Sequence, residues 1–148
     1  MAVRTAHVDV RPQKIFDVLR DGQQYARWVI GTKRIRSVDP RWPKVGSSLH
    51  FTAGVGPLQV RDRTVVRGYR KNRMLELEAF AKRLGSARVR IEVKPERRGS
   101  RVIIDEHPLR GPIAWAHNPF GELLIILRNR RMLKHLRTIV EGDSRARS

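Results

Sequence analysis

A chain of 148 residues and 17.1 kDa has the size of one domain, able to bury about 68% of its unfolded surface around a single core, which excludes two large domains. The absence of cysteine excludes a disulfide scaffold, a thiolate metal site and a thiol nucleophile, and a hydrophobic content of 40% excludes global disorder. A net charge of +18, from 32 basic against 14 acidic residues, invites polyanionic partners, but the basic residues are mostly arginine and are spread from Arg4 to Arg147.

Taken in chain order, Ala6, Val8 and Val10 alternate with Thr5, His7 and Asp9, the period of a half-buried strand. Pro12 suits a first helical turn, and Ile15, Phe16, Val18 and Leu19 share one face of a helix that Asp21-Gly22 ends. Tyr25, Trp28 and Val29 stand at helical spacing and predict a second short helix over Gln23 to Val29, closed by Gly31. Charges run through the first thirty residues without an apolar stretch, so no secretory signal is expected.

Six more strands are predicted: Thr32 to Val38, Ser47 to Val55, Leu58 to Arg70, Met74 to Lys82, Ala87 to Lys94 and Arg101 to His107. The breaks between them carry turn chemistry, at Asp39-Pro40 and Trp42-Pro43, Gly54 to Pro57, Lys71-Asn72, Gly85-Ser86 and Arg98-Gly99-Ser100. Trp42 is expected to staple its loop. Connections this short join antiparallel neighbours.

Alternation then assigns faces. Asp62, Thr64 and Val66, then Leu75, Leu77 and Ala79, then Ala87, Val89 and Ile91, then Val102, Ile104 and Glu106 fall on one side. Arg61, Arg63 and Arg67, then Glu76 and Glu78, then Arg88 and Arg90 fall on the other. If consecutive strands pair, an acidic row lies between two arginine rows on an exposed face, each cross-strand pair contributing roughly 0.2 to 1 kcal/mol.

Past Gly111-Pro112, Asn118 is a suitable N-cap with Pro119 behind it, opening a long helix. Ile125, Met132, Leu136, Ile139 and Val140 form its apolar stripe, Arg130, Lys134, Arg137 and Glu141 its wet side, and Gly142 its end. Leu123 to Leu127 is apolar nearly all round, which calls for cover beyond one sheet or for a hydrophobic space to line. At five residues that run is far short of the roughly 20 a membrane-spanning helix needs.

One strand, two short helices, six antiparallel strands and a long C-terminal helix make an α+β layout with a sheet folded around one helix. Together with Pro12-Gln13-Lys14-Ile15-Phe16-Asp17-Val18-Leu19, Tyr25-Ala26-Arg27-Trp28 and Gly99-Ser100-Arg101-Val102-Ile103-Ile104-Asp105-Glu106-His107, it resembles the START-like, or SRPBCC, superfamily, in particular its polyketide cyclase/dehydrase-like branch. The resemblance runs over about residues 2 to 141. It implies a helix-grip (START/Bet v 1-like) fold, a seven-stranded curved antiparallel sheet around the C-terminal helix, as a single domain over 1–141 with a disordered tail at 142–148. It also implies an elongated cavity between sheet and helix, which in many relatives holds a hydrophobic ligand. The small inward residues Ala79, Ala81 and Ala87 agree with unfilled space under the sheet.

The candidate site follows from that cavity. Asp62 and Glu106 face inward by strand parity, and a carboxylate on an apolar wall is costly unless paired or protonated, which suits it to orienting a ligand or to acid–base catalysis. Each is also readable as a structural anchor bound to an arginine or a backbone amide, the reading that Asp62 favours. Trp28, on the second short helix where relatives often place cavity-mouth residues, joins Phe51, Thr64, Leu77, Leu123 and Leu127 as expected ligand contacts. His7, His50, His107, His117 and His135 show no metal spacing, so neither a metal nor another cofactor is expected. Gly54-Val55-Gly56-Pro57 leads into a strand and not into a helix, which removes the mechanism of a phosphate loop.

Three functions follow as expectations. The first is binding of a hydrophobic small molecule, a lipid or a polyketide-like compound. The second is a cyclase, aromatase or dehydratase in which Asp62 and Glu106 are the catalytic pair and the basic surface docks an acidic carrier protein. The third makes the charge itself the function, through nucleic acid or an anionic membrane, although nucleic-acid motifs and interleaved aromatics are missing. Missing targeting signals place the protein in the cytoplasm by expectation. Oligomeric state is not readable from the sequence.

Overall fold

The computed structural model describes residues 2–29, 32–55, 58–81, 85–110 and 131–142. The described chain forms β1 (Ala2–Val8), α1 (Pro12–Leu19), a 3-10 turn (Gly22–Gln24), α2 (Tyr25–Trp28), β2 (Thr32–Val38), β3 (Ser48–Val55), β4 (Leu58–Arg70), β5 (Met74–Ala81), β6 (Gly85–Glu96) and β7 (Gly99–Arg110). Residues 131–142 are helical and form the C-terminal helix, α3. The sheet is antiparallel with the order β1-β7-β6-β5-β4-β3-β2. Every sequential neighbour from β2 to β7 pairs, as their short turns require, and β1 adds to the outside of β7. This is the helix-grip architecture.

The parity assigned from sequence is the parity of the core. Leu49, Val66, Leu75, Leu77, Ile91, Val93, Val102 and Ile104 are buried together with Ile15, Phe16 and Leu19 of α1 and with Met132, Leu136 and Val140 of α3. Helices and sheet therefore share one apolar centre. A bulge between Val66 and Gly68 shifts the phase of β4, so that Tyr69 comes opposite Leu75 and meets the ring of Phe16 at 6.3 Å. Trp42 is buried and donates its indole N–H to Leu19 O at 3.4 Å, tying the β2–β3 loop to the end of α1.

Three local differences from the sequence reading have physical causes. β1 starts at Ala2 and ends at Val8, because Asp9 and Val10 leave the sheet to reach α1, where the buried Ser100 hydroxyl donates to Val10 O at 2.7 Å. The second helix is a 3-10 turn followed by one α-helical turn, begun by the Asp21 carboxylate accepting Gln23 N–H at 3.0 Å. β6 and β7 extend into each other, with Glu96 opposite Gly99 across a two-residue turn in which Arg98 has φ +63°.

The convex face carries cross-strand ion pairs of the expected kind, Arg67 to Glu78 at 3.0 Å and Arg88 to Glu76 at 3.5 Å, together with a pair within β6, Arg90 to Glu92 at 2.9 Å. It is not uniformly wet. Glu78 is only 2% exposed and also accepts the Ser86 hydroxyl at 2.5 Å, while Arg63 lies over the Phe80 ring at 4.5 Å. Arg67 and Ser86 engage the carboxylate that alternation alone places in solvent.

Candidate functional site

Residues Tyr25 and Trp28 stand one helical turn apart on α2, so both rings point to the same side, onto the sheet. The Tyr25 ring stacks on Phe51 of β3 at 6.0 Å and meets Trp28 edge-on at 5.5 Å. Its hydroxyl shares a 2.8 Å hydrogen bond with the hydroxyl of Thr64, which has no exposed surface. An aromatic wall anchored by this hydrogen bond thus closes the β3–β4 side of the concave face. Leu77 lies in the same interior, 1% exposed, opposite Val66 and Val89.

Glu106 is 2% exposed and sits opposite Val89 on one side and Ala2 on the other. It is thus an acid set into an otherwise apolar row that continues through Leu77 to Val66. Asp62, opposite Phe51, is half-buried. Among the described residues the pairing of β4 with β5 begins at Thr64 opposite Ala79, and two residues earlier the Asp62 carboxylate accepts the backbone N–H of Arg63 at 2.9 Å. Its backbone carbonyl accepts from Arg36 at 3.3 Å. Asp62 also borders a convex-side groove of about 340 Å³ with Arg36, His50, Arg61, Arg63 and Phe80.

The register separates the two acids. Strands β4 and β7 are three interstrand spacings apart, about 14 Å of sheet at about 4.8 Å each. Glu106 is level with Val66 through Val89 and Leu77, which puts Asp62 a further four residues, about 13 Å, along β4. Of the residues singled out from sequence, the structure brings Trp28, Phe51 and Thr64 together around Tyr25, places Leu77 and Glu106 in the neighbouring row, and sets Asp62 at the corner. Leu123 and Leu127 lie outside the described residues.

Two site roles escaped the sequence reading. Tyr25 was legible as part of a helical stripe, but its partner Thr64 is 39 positions away. Arg4 shares the parity of Ala6 and Val8 and faces the interior side opposite Ile104, one diagonal step from Glu106, with its Nε buried. Parity was the signal for it. Among the described residues no group of three or more His, Cys, Asp or Glu side chains converges as metal ligands, and no helix is long and apolar enough to cross a membrane.

The fold agrees with the comparisons. The family model described as polyketide cyclase / dehydrase and lipid transport matches residues 2–141, and the chain belongs to that family. Among solved structures it is similar to SA2116 of Staphylococcus aureus, a protein of unknown function, with a TM-score of 0.76 at 7% identity, covering 97% of this chain and 94% of that one. It is also similar to NE0264 of Nitrosomonas europaea, with a TM-score of 0.72 at 13% identity and coverage of 96% and 94%. DynU16, of the dynemicin biosynthetic locus, matches with a TM-score of 0.70 at 10% identity, over 95% of this chain and 46% of that one. At these identities the likeness is one of fold. Comparison with curated proteins returns no match.

Proposed function

We propose that this protein binds an apolar small molecule, a lipid or a polyketide-like compound, between the concave face of its sheet and α3. The observation that carries the reading is a set of small residues on that face. Ala53, Ala79 and Ala87 keep partial solvent contact although their neighbours Leu49, Thr64, Leu77 and Val89 are buried. An interior face left incompletely covered at its smallest side chains supports a space that a ligand fills, because packed cores leave few such gaps. The family description, which joins cyclases with lipid transport, supports the same class of ligand.

Within that reading the aromatic wall of Tyr25, Trp28 and Phe51 supplies apolar contact, Leu77 lines the adjoining row, and Glu106 is the polar group that orients the ligand. Asp62, engaged with the Arg63 N–H, serves to hold the corner where β4 leaves β5. Titration with the neutral fluorophore diphenylhexatriene tests the proposal, since an uncharged probe is indifferent to the net charge. Saturable uptake of one probe per chain, displaced by a lipid extract, is the expected result. A protein that takes up no probe and carries no small molecule in native mass spectrometry would sink it.

A further inference from the structure

Part of the charge excess gathers at one place in the fold, away from the proposed ligand site. On the convex face, arginines Arg67, Arg88 and Arg90 are matched by carboxylates. At the end of the sheet where β4 turns into β5, β6 turns into β7 and β1 feeds α1, the opposite holds. Arg11, Lys14, Lys71, Arg73 and Arg98 line two adjoining grooves of about 540 and 650 Å³ that share Arg11, Arg98 and Gly99, and Arg97 stands on the same turn as Arg98. None of these six cations forms an ion pair among the described residues. Two acids also line the grooves, Asp9 and Glu96, and both are engaged with His7, Glu96 with Arg101 as well. No acidic residue occupies the first turn of α1, so its positive end adds to the same field.

The grooves are built on anchored backbone. The Ser100 hydroxyl holds Val10 O, and Gly99 packs so closely on β1 that an added Cβ would stand 2.2 Å from Val8 O. Across the groove, the Arg20 guanidinium donates to the Asn72 side chain at 3.2 Å and Val93 N–H donates to Arg73 O at 2.8 Å, fixing the β4–β5 turn to α1 and to β6. Cations on three such segments surround a concavity with little reorganisation left to make on binding. The described lining contains no aromatic ring on which a base could stack, and Val10, its one aliphatic side chain besides prolines, is buried. A concave, polar groove in which cations outnumber acids fits compact multivalent anions, for which several guanidinium groups act together.

We propose that this groove binds a compact ligand carrying two or more linked phosphate groups. The test is calorimetric titration of the full chain with tripolyphosphate at fixed ionic strength, beside two folded variants that each remove two positive charges. Arg11→Gln with Arg98→Asn alters the groove, Asn being suited to the left-handed backbone at 98. Arg34→Gln with Arg61→Gln alters exposed cations of the convex face. The expected result is saturable one-to-one binding that weakens at least tenfold in the groove variant and less than twofold in the other. ADP titrated in parallel distinguishes a free polyphosphate from one borne on an organic group, and groove-dependent binding of either supports the assignment. Equal weakening in both variants, or binding that never saturates, would mean bulk attraction and would overturn it. So would duplex DNA or phosphatidylglycerol vesicles binding through the groove of a protein that ignores both phosphate probes.

Discussion

The hydroxyls of Tyr25 and Thr64 lie 2.8 Å apart in a buried hydrogen bond that fastens α2 to the middle of β4. Removing the phenolic oxygen strands the threonine hydroxyl where no water reaches it, at a cost of about 1–2 kcal/mol. Tyr25→Phe is therefore expected to lose about that much stability in urea denaturation. Adding Thr64→Val to it should recover part of the loss, since the two oxygens leave together. Strict additivity of the two substitutions would mean that the hydrogen bond is not what couples them.

Filling the interior separates a lined space from a packed core. Ala79→Leu in a close-packed core costs about 1–3 kcal/mol through overpacking. With space above Ala79, the variant should unfold within about 0.5 kcal/mol of the parent, or later, and should lose diphenylhexatriene binding. Denaturation and probe titration on the same preparation read both effects.

Glycine is required at 99 and optional at 142. Gly99 has φ +141°, and a Cβ there would stand 2.2 Å from Val8 O, whereas a Cβ at Gly142 meets nothing within 4 Å. Gly99→Ala is expected to lower stability by at least about 2 kcal/mol through backbone strain and loosening of β1. Gly142→Ala, at the end of α3, should be neutral or slightly stabilising. Thermal melts of the two variants make the comparison.

The imidazole of His7 bridges two carboxylates, with Nδ1 2.8 Å from Glu96 and Nε2 2.9 Å from Asp9. Both contacts are donated together only by the imidazolium, and the Glu96 hydrogen bond, followed by Asp9, raises the His7 pKa above its ordinary 6.5. The same contact, with Arg101 behind it, lowers Glu96 below its ordinary 4.5. A raised histidine stabilises fully below its unfolded pKa and ceases to do so as pH rises through the folded value. A lowered carboxylate stabilises above its unfolded pKa and ceases to do so as pH falls through the folded value. The melting-temperature gap between the parent and His7→Gln should therefore be widest between about pH 4.5 and 6.5 and should close at higher pH. A gap independent of pH would show that the charge on His7 contributes nothing.

Much of the fold is legible in the sequence because a strand's alternation is a local property. Leu75, Leu77 and Ala79 against Glu76 and Glu78 state two faces without reference to any other strand, and the turns at Lys71-Asn72 and Arg98-Gly99 state where the chain reverses. The ion pairs of the convex face follow from the same parity once neighbours pair. Period alone also marks Arg4 as inward-facing beside Ala6.

Alternation fixes which side a residue faces, but its lateral position depends on strand order and register, which are properties of the assembled sheet. Asp62 and Glu106 share a face, and only the order β4-β5-β6-β7 puts three strand spacings between them. Cover is likewise tertiary. Glu78 lies on the face that the pattern marks as wet, yet Arg67 and Ser86 engage it in the interior of a charged layer. Thr64 spends its hydroxyl on a tyrosine from a distant helix. The sequence determined the faces, the turns and the composition of the core, because those depend on near neighbours along the chain. The tertiary structure alone decided which polar groups meet and which cations remain unmatched, because charge and hydrogen bonding act across space between segments that the chain order keeps apart.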